Sequence, residues 1–488
     1  MIFIEFENDR VTSELFKGKS VITAIQHTAL NNPDSGIIIF KKGTDSHIFL
    51  ERIKELATPY SFISSSNTGL QDIGYIEDGP FIKVSIEKPY PTWIKSDTQV
   101  YLHAHFVNQI GEQISTNCSF LYWLNSVGKL SRPQGIFNYQ VPLEASSKNF
   151  SDLLLYRFVK QHYKSRWVLF LLLCHIWYER RFPLFAFAKA WFTKPQKLTL
   201  DLESLQKTEL PVSNEPFYYD VIIPTMGRAT YLKDVLNDLA AQTMVPKNVI
   251  IVEQNEDFTA QTALDYIKTN SWPFKISHTL IHKTGACNAR NMASEQITAP
   301  WALLFDDDVR VQATFAAEVS HALKQTKAKA ITFACLQAHE TESMQAFKQW
   351  ESFGSGCSIV HREIIEICKF DIALEHGYGE DVDYGMQIRR AGYDIIYAPQ
   401  IQMLHLKAPM GGFRKLHIFP WVHDLVQPKP SPQIMYHRKK NYSTKQLKGY
   451  KMVLFFKTFG NLGRRTPWGH FRAFKYAWNQ SERWANTL

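Results

Sequence analysis

The run Ala302-Leu303-Leu304-Phe305 ends on three consecutive aspartates, Asp306, Asp307 and Asp308. Four apolar residues in a row read as a buried strand, so the carboxylates stand at its carboxyl end. Three like charges this close repel one another, and no cation-rich neighbour in the sequence relieves them. Two arrangements answer the repulsion. One is an acidic turn that caps a helix. The other is a divalent cation, because Mg²⁺ and Mn²⁺ take carboxylate and phosphate oxygens together. Ligands of open α/β sheets bind at the carboxyl ends of strands. The triplet is therefore the first candidate for a metal and diphosphate site.

The chain leading to it alternates two periods. Strands are expected at 219–224, 248–253, 274–281 and 301–305, and helices at 231–242, 259–269 and 286–296. Such β-α-β-α alternation implies a mostly parallel, Rossmann-like sheet with right-handed crossovers. A helix at 311–324, a strand at 330–334 and a mixed segment to His405 follow. No internal repeat recurs at a fixed period.

A chain of 488 residues, 45% hydrophobic and 21% charged, has the length for two or three domains with sizeable cores. We divide it into an N-terminal α/β domain (1–145), a helical aromatic segment and linker (146–217), the readable α/β domain (218–412) and a basic C-terminal region (413–488). In the first, 35–40 and 84–86 read as strands and 45–57 as a helix. The six cysteines form no CxxC pair and fit no zinc framework, which suits reduced thiols in a cytosolic protein. No basic segment followed by an apolar core opens the chain, so no signal peptide is expected. The apolar run 167–177 is too short for a bilayer, which needs about 20 residues, and reads as a buried or interfacial helix.

The net charge of +9 favours acidic partners. Beyond Pro428, basic residues from Arg438 to Arg483 face one acid, Glu482, and alternate with aromatics such as Phe455, Phe459, Trp468 and Trp484. That pattern suits either an anionic membrane surface or helices packed on the core with a solvated basic face. No nucleic-acid motif is present, and no nucleic-acid partner is expected.

Several residues converge on the strand ends around the triplet. Pro224 and Thr225 close the first strand, and Gly227 and Arg228 form the turn after it, where amides and a guanidinium can meet a nucleotide. Glu253 ends the second strand and can accept hydrogen bonds from a base or ribose. Gly285, Arg290 and Asn291 open the third helix. Downstream lies Gly377-Tyr378-Gly379-Glu380-Asp381-Val382-Asp383-Tyr384-Gly385, followed by Arg389-Arg390-Ala391-Gly392-Tyr393. Glu380 and Asp381 read either as an acidic helix start favoured by the macrodipole or as catalytic carboxylates. Trp350 reads as a sugar-stacking ring or a core residue.

In order and spacing these motifs resemble the family 2 glycosyltransferases of the GT-A fold over 218–412. The resemblance implies an NDP-sugar donor, inversion at the anomeric carbon and a divalent metal, Mn²⁺ or Mg²⁺. By position, Asp306 and Asp307 would contact the nucleotide sugar and Asp308 would ligate the metal, with His405 completing the metal site. Asp381 would be the general base, with Glu380 beside it. Gly411 and Gly412 would belong to a loop closing over the donor. No QxxRW motif or transmembrane helix of the processive synthases is evident.

The expected activity is therefore an inverting, metal-dependent transfer of a sugar to a hydroxyl of a glycan or lipid-linked acceptor. It would serve cell-surface polysaccharide or glycolipid synthesis, peripherally at the inner face of the cell membrane. The alternative is a non-catalytic sugar-nucleotide binding module of a biosynthetic complex. The domain 1–145 is either an acceptor-recognition module or a diverged second transferase-like unit, and it shows no DxD motif.

Overall fold

A computed structural model describes residues 1–66, 69–85, 87–143, 150–206, 216–409, 417–459 and 466–488. Gly411 and Gly412 lie outside the described residues. The chain forms two compact units: Met1–Lys207 with Arg438–Phe471, and Thr208–His437 with Arg472–Leu488.

The first unit is built on β1 (Ile2–Glu7), β2 (Arg10–Val11), β3 (Gly36–Lys41), β4 (Ser61–Ser65), β5 (Tyr90–Pro91), β6 (Gln99–His103) and β7 (Phe137–Val141), arranged as β2-β1-β3-β6-β4-β7-β5. The pairs β1–β3 and β4–β7 are parallel; the others are antiparallel. β3 carries three successive buried isoleucines, Ile37, Ile38 and Ile39, as a strand covered on both faces should. The amphipathic helix Val21–Asn31 buries Val21, Ile22 and Ile25. Residues 84 and 85, expected in a strand, lie in a loop, and Ile86 is outside the described residues.

An aromatic cluster extends this core. Trp93 stacks on Phe158 with centroids 5.7 Å apart and planes 8° from parallel, and Tyr122 meets the same ring edge-on. The helices Asp152–His162, Arg166–Cys174 and Leu184–Ala190 form this layer. The apolar run around Leu171 is thus a half-buried helix that continues as a π-turn to Glu179. No described helix is long and apolar enough to cross a membrane.

The second unit holds β8 (Tyr219–Thr225), β9 (Asn248–Gln254), β10 (Lys275–Ile281), β11 (Trp301–Phe305), β12 (Val309–Arg310), β13 (Ala330–Leu336), β14 (Lys348–Gln349), β15 (Cys357–His361) and β16 (Ile396–His405). Its sheet runs β10-β9-β8-β11-β15-β13-β16-β12, with β14 beside β16. β10, β9, β8 and β11 are parallel, and β15 runs against both β11 and β13. The parallel half follows from the alternation read in the sequence. It ends at β15 because Cys357–His361 enters the sheet from the opposite direction and turns directly into the helix Arg362–Ile367.

Two expected helices are shorter. Of 259–269 only Tyr266–Thr269 is helical. Upstream, Asp257 accepts the Thr259 amide and hydroxyl, and Glu253 accepts the Thr262 hydroxyl and the Ala263 amide. These local bonds compete with a helix. The helix expected from 311 begins at Phe315, because Arg310 and the Val311 amide are held by Asp238.

Candidate active site

The parallel strands β8 and β11 place Ile222 beside Leu304, so Thr225 and the aspartates leave the sheet side by side. Asp307 is 3% exposed; it accepts the Thr225 hydroxyl at 2.7 Å and Arg228 Nη1 at 2.7 Å. Burial pushes its carboxyl up to about 6 against the pull of Arg228. Asp307 thus anchors the β8 turn to the end of β11.

Asp308 is placed by a different pairing. β12 runs against β16 with Val309 opposite His405, which brings His405 Nε2 to 3.5 Å from Asp308 Oδ1. The other oxygen accepts the Ala408 amide at 2.9 Å and lies 3.2 Å from Arg228. Burial opposes the Asp308 charge, but the His405 bond, the amide and Arg228 hold its pKa below the usual carboxylate range. The same contact raises His405.

Asp306 is the exposed member, with 37% of its side chain accessible, and it accepts Arg290 Nη2 at 3.1 Å. A Cβ at Gly356 would fall on the Asp306 carboxylate, so only glycine leaves this side chain its place. The Arg290 guanidinium is buried, and its Nε and Nη1 have no hydrogen-bond partner. Burial disfavours its charge, yet Asp306, Asp381 and Glu380 around it raise its pKa.

Glu380 and Asp381 open the helix Glu380–Arg390, whose N-cap Gly379 has φ 111°. Burial, then the Asp381 charge, pushes Glu380 up to about 7. Burial also raises Asp381, against Arg290 and hydrogen bonds to Ser355. Asp381 Oδ1 is buried without a hydrogen-bond partner. Asp306 and Arg290 therefore connect the triplet electrostatically to the downstream acid pair.

A cavity of about 520 Å³ opens over this arrangement. Its lining takes in Pro224, Thr225, Arg228, Gly285, Arg290, all three aspartates and His405. Four other expected residues, Glu253, Asn291, Glu380 and Asp381, are not among the lining residues. Glu253 accepts Thr262, Ala263 and His278, and Asn291 exchanges hydrogen bonds with the Phe370 backbone.

Glu375, unmarked in the sequence, also lines the cavity. Its oxygens accept the Cys287 and Asn288 amides at 3.0 and 2.9 Å, capping the helix Ala286–Ser294. A Cβ at Gly285 (φ 145°) would strike that carboxylate. Glu375 lies two residues before the Gly377–Gly385 motif, but only the folded chain brings it to this helix start. Trp350 stacks on Tyr397 at 4.3 Å between centroids.

The Asp308 carboxylate and the His405 nitrogen, 3.5 Å apart, are the hard oxygen and imidazole donor types that Mn²⁺ or Mg²⁺ takes. Among the described residues, the three metal-ligating side chains that come within 4.8 Å of one another are others, Asp72, His175 and Glu179 in the first unit. There Arg181 bridges Asp72 and Glu179, and Lys445 pairs with Asp72, so cationic side chains already neutralise the cluster.

A parallel half-sheet extended by antiparallel β15, with an acid-lined cavity at the strand ends, defines the GT-A class of mixed α/β folds. Residues 220–357 match the model of the glycosyl transferase family 2. No curated protein matches the chain in sequence. Among solved structures, S. aureus TarS 1-349 in complex with UDP-GlcNAc is similar over 55% of this chain and 82% of its own, at 13% identity and TM-score 0.38. The mannosyltransferase PcManGT from Pyrobaculum calidifontis, in complex with GDP-Man and Mn²⁺, covers 56% and 84% at 15% identity and TM-score 0.33. GalNAc-T7 with UDP, GalNAc and Mn²⁺ covers 40% and 44% at 14% identity and TM-score 0.33.

Proposed function

We propose that the second unit is an inverting, metal-dependent hexosyltransferase. It moves a sugar from an NDP-sugar to a hydroxyl of a glycan or lipid-linked acceptor in cell-surface polysaccharide or glycolipid synthesis. The observation that carries this reading is the buried, unpartnered Oδ1 of Asp381, held in the field of Arg290 and Asp306. A buried carboxylate oxygen left without a donor is costly and is suited to receive the proton of an incoming hydroxyl.

In this reading Asp381 takes the acceptor proton as the hydroxyl oxygen attacks the anomeric carbon. The bond to the diphosphate breaks on the opposite face. Arg290 keeps Asp306 and the acid pair in fixed relation, and Arg228 with Thr225 fixes Asp307. Asp308 and His405 would hold the divalent ion, with Asp306 toward the nucleotide; when bound, the ion offsets charge on the departing diphosphate. Glu380, raised to about 7, shares the proton load of the pair.

The reading predicts metal-dependent NDP release from one member of a panel of UDP-, GDP- and dTDP-sugars. Absence of turnover with every donor, with and without candidate acceptors, would sink it in favour of a non-catalytic binding module.

We further propose that the enzyme works peripherally at the inner face of the cell membrane. Phe182, Phe185 and Phe192 are 64%, 75% and 89% exposed around the helix Leu184–Ala190. Across 157–197, nine Lys and Arg accompany a single acid, Glu179. Exposed aromatics ringed by cations suit an anionic lipid surface. The tail is engaged in part: Phe474 and Trp478 are buried, Arg438 pairs with Asp78 and Lys445 with Asp72, while Phe459 and Trp468 are exposed. Flotation with phosphatidylglycerol vesicles should recover the protein, and Phe185→Ser with Phe192→Ser should release it. Equal flotation on neutral phosphatidylcholine would refute the electrostatic part.

A further inference from the structure

The two units share one strand plan. In sequence order, the first unit's β1, β3, β4, β6 and β7 stand in its sheet as β1-β3-β6-β4-β7. The second unit's β8, β11, β13, β15 and β16 stand as β8-β11-β15-β13-β16, the same permutation with the same parallel and antiparallel senses. The short β5 runs against β7 as β14 runs against β16. The second unit alone adds β9 and β10 at its parallel edge.

The registers agree residue by residue. Gly36 opens β3 opposite His103, and Trp301 opens β11 opposite His361. Phe62 faces Leu102 as Ala330 faces Val360, and Ser64 faces Val100 as Thr332 faces Ser358. Each of His103 and His361 ends its strand and caps the next helix, accepting the amide two residues on. The Ser96 amide bonds the Ser64 hydroxyl as the Gly354 amide bonds that of Thr332. The Thr92 amide reaches Asn138 O as the Trp350 amide reaches Ile395 O. From Tyr90/Lys348 to Asn138/Ile395 the numbering offset is constant to within one residue. It pairs Gly128 with Gly385, buried Arg132 with buried Arg389, and Gly135 with Gly392, both at positive φ.

This alignment reveals what stands where the chemistry should be. Phe40 corresponds to Phe305, so Lys41, Lys42 and Gly43 occupy the places of Asp306, Asp307 and Asp308. The Lys41 amide bonds Thr98 O at 3.0 Å as the Asp306 amide bonds Gly356 O at 3.3 Å. Lys41 Nζ lies 2.7 Å from Asp97, so an ammonium group is built into the strand end. Trp123 and Leu124, both fully buried, replace Glu380 and Asp381.

We infer that the first unit is a second copy of the transferase core whose donor site has been dismantled, leaving one nucleotide and metal site per chain, in the second unit. The inference rests on the proposed donor site there. Lys41 supplies internally the positive charge that carboxylates would otherwise draw from an ion. Trp123 and Leu124 leave no base to accept an acceptor proton.

Titration of the full chain with Mn²⁺ and UDP, and with Mn²⁺ and GDP, tests this count by calorimetry and by Mn²⁺ paramagnetic resonance. The expected result is one site for one of the nucleotides, lost in Asp308→Ala. Two sites, one of them surviving Asp308→Ala, overturn the inference while leaving the transferase reading intact; a single site that survives Asp308→Ala overturns both. Zero sites with UDP, with GDP and, in a third titration, with dTDP sinks both, through the second unit. A second arm reads turnover: Lys41→Ala and Lys42→Ala should keep kcat and KM for donor within twofold. A tenfold fall in kcat with an unchanged melting profile would show that this strand end acts on the reaction, and would overturn the inference.

Discussion

At the end of β11 three acids open into a cavity, whereas at the end of β3 a lysine closes on Asp97. The strand order and register behind the two ends are the same, so the contrast separates what the fold supplies from what the side chains supply. The fold supplies a strand end beside a helix start. Charge sets the contrast: the three carboxylates, met by Arg228, Arg290 and His405, line an open cavity, while Lys41 closes on Asp97. The interiors differ in the same manner. In the first unit the buried Lys95 Nζ, its pKa pushed well down by burial, donates to the carbonyls of Phe62, Thr92 and Tyr139. In the second, Arg389 donates to the Trp350 carbonyl, the counterpart of Thr92, and Phe353 takes the place of Lys95.

The sharpest way to break the contrast is to remove the acid that only the second unit has. Asp381→Asn should lower kcat by about 10²–10⁴ while donor affinity is retained, read by steady-state kinetics and calorimetry. Full activity would strip Asp381 of its assignment. Next in size, Asp308→Ala should cost about 10²–10³ in turnover. Chelation of the wild type should give a comparable loss, and readdition of Mn²⁺ should rescue the wild type but not the variant.

The acid pair also sets a pH limb. A base must be ionised, and burial raises both Glu380 and Asp381. Transfer should therefore be full at alkaline pH and fall as pH drops, along a limb set above the usual carboxylate range. Glu380→Gln removes the neighbouring charge and should move that limb to lower pH; an unmoved limb would uncouple the pair. The smallest effect belongs to the first unit. Lys95→Met leaves buried carbonyls unsatisfied and should cost about 1–3 kcal/mol of stability, read from thermal unfolding, with kcat unchanged.

The second unit's fold was largely legible because its strands are continuous apolar runs ending on chemical residues, as in 301–308. Its site was legible in part. Thr225, Arg228, Arg290 and the triplet meet as their spacing implied, but Glu375 reaches its helix from a loop, and Glu253 and Asn291 are engaged in local hydrogen bonds. The repeated core escaped the sequence for a physical reason. Backbone register needs only apolar, β-competent residues at each place, so Ile38 can stand for Leu303 and Phe62 for Ala330 without identity. Only positions with a backbone or burial demand, such as Gly135/Gly392 and Arg132/Arg389, kept their residue type. The inserted β9 and β10 then destroyed any fixed period.

Gly356 carries one last consequence. The Asp306 carboxylate occupies the space its side chain would fill, and the matching residue beside Lys41 is Thr98. An aspartate regained at 41 would meet a threonine already standing there, so no single replacement moves that strand end toward a working state. The two changes would have to arrive together or in one order, which makes the divergence of the halves a ratchet rather than a drift that can run backwards.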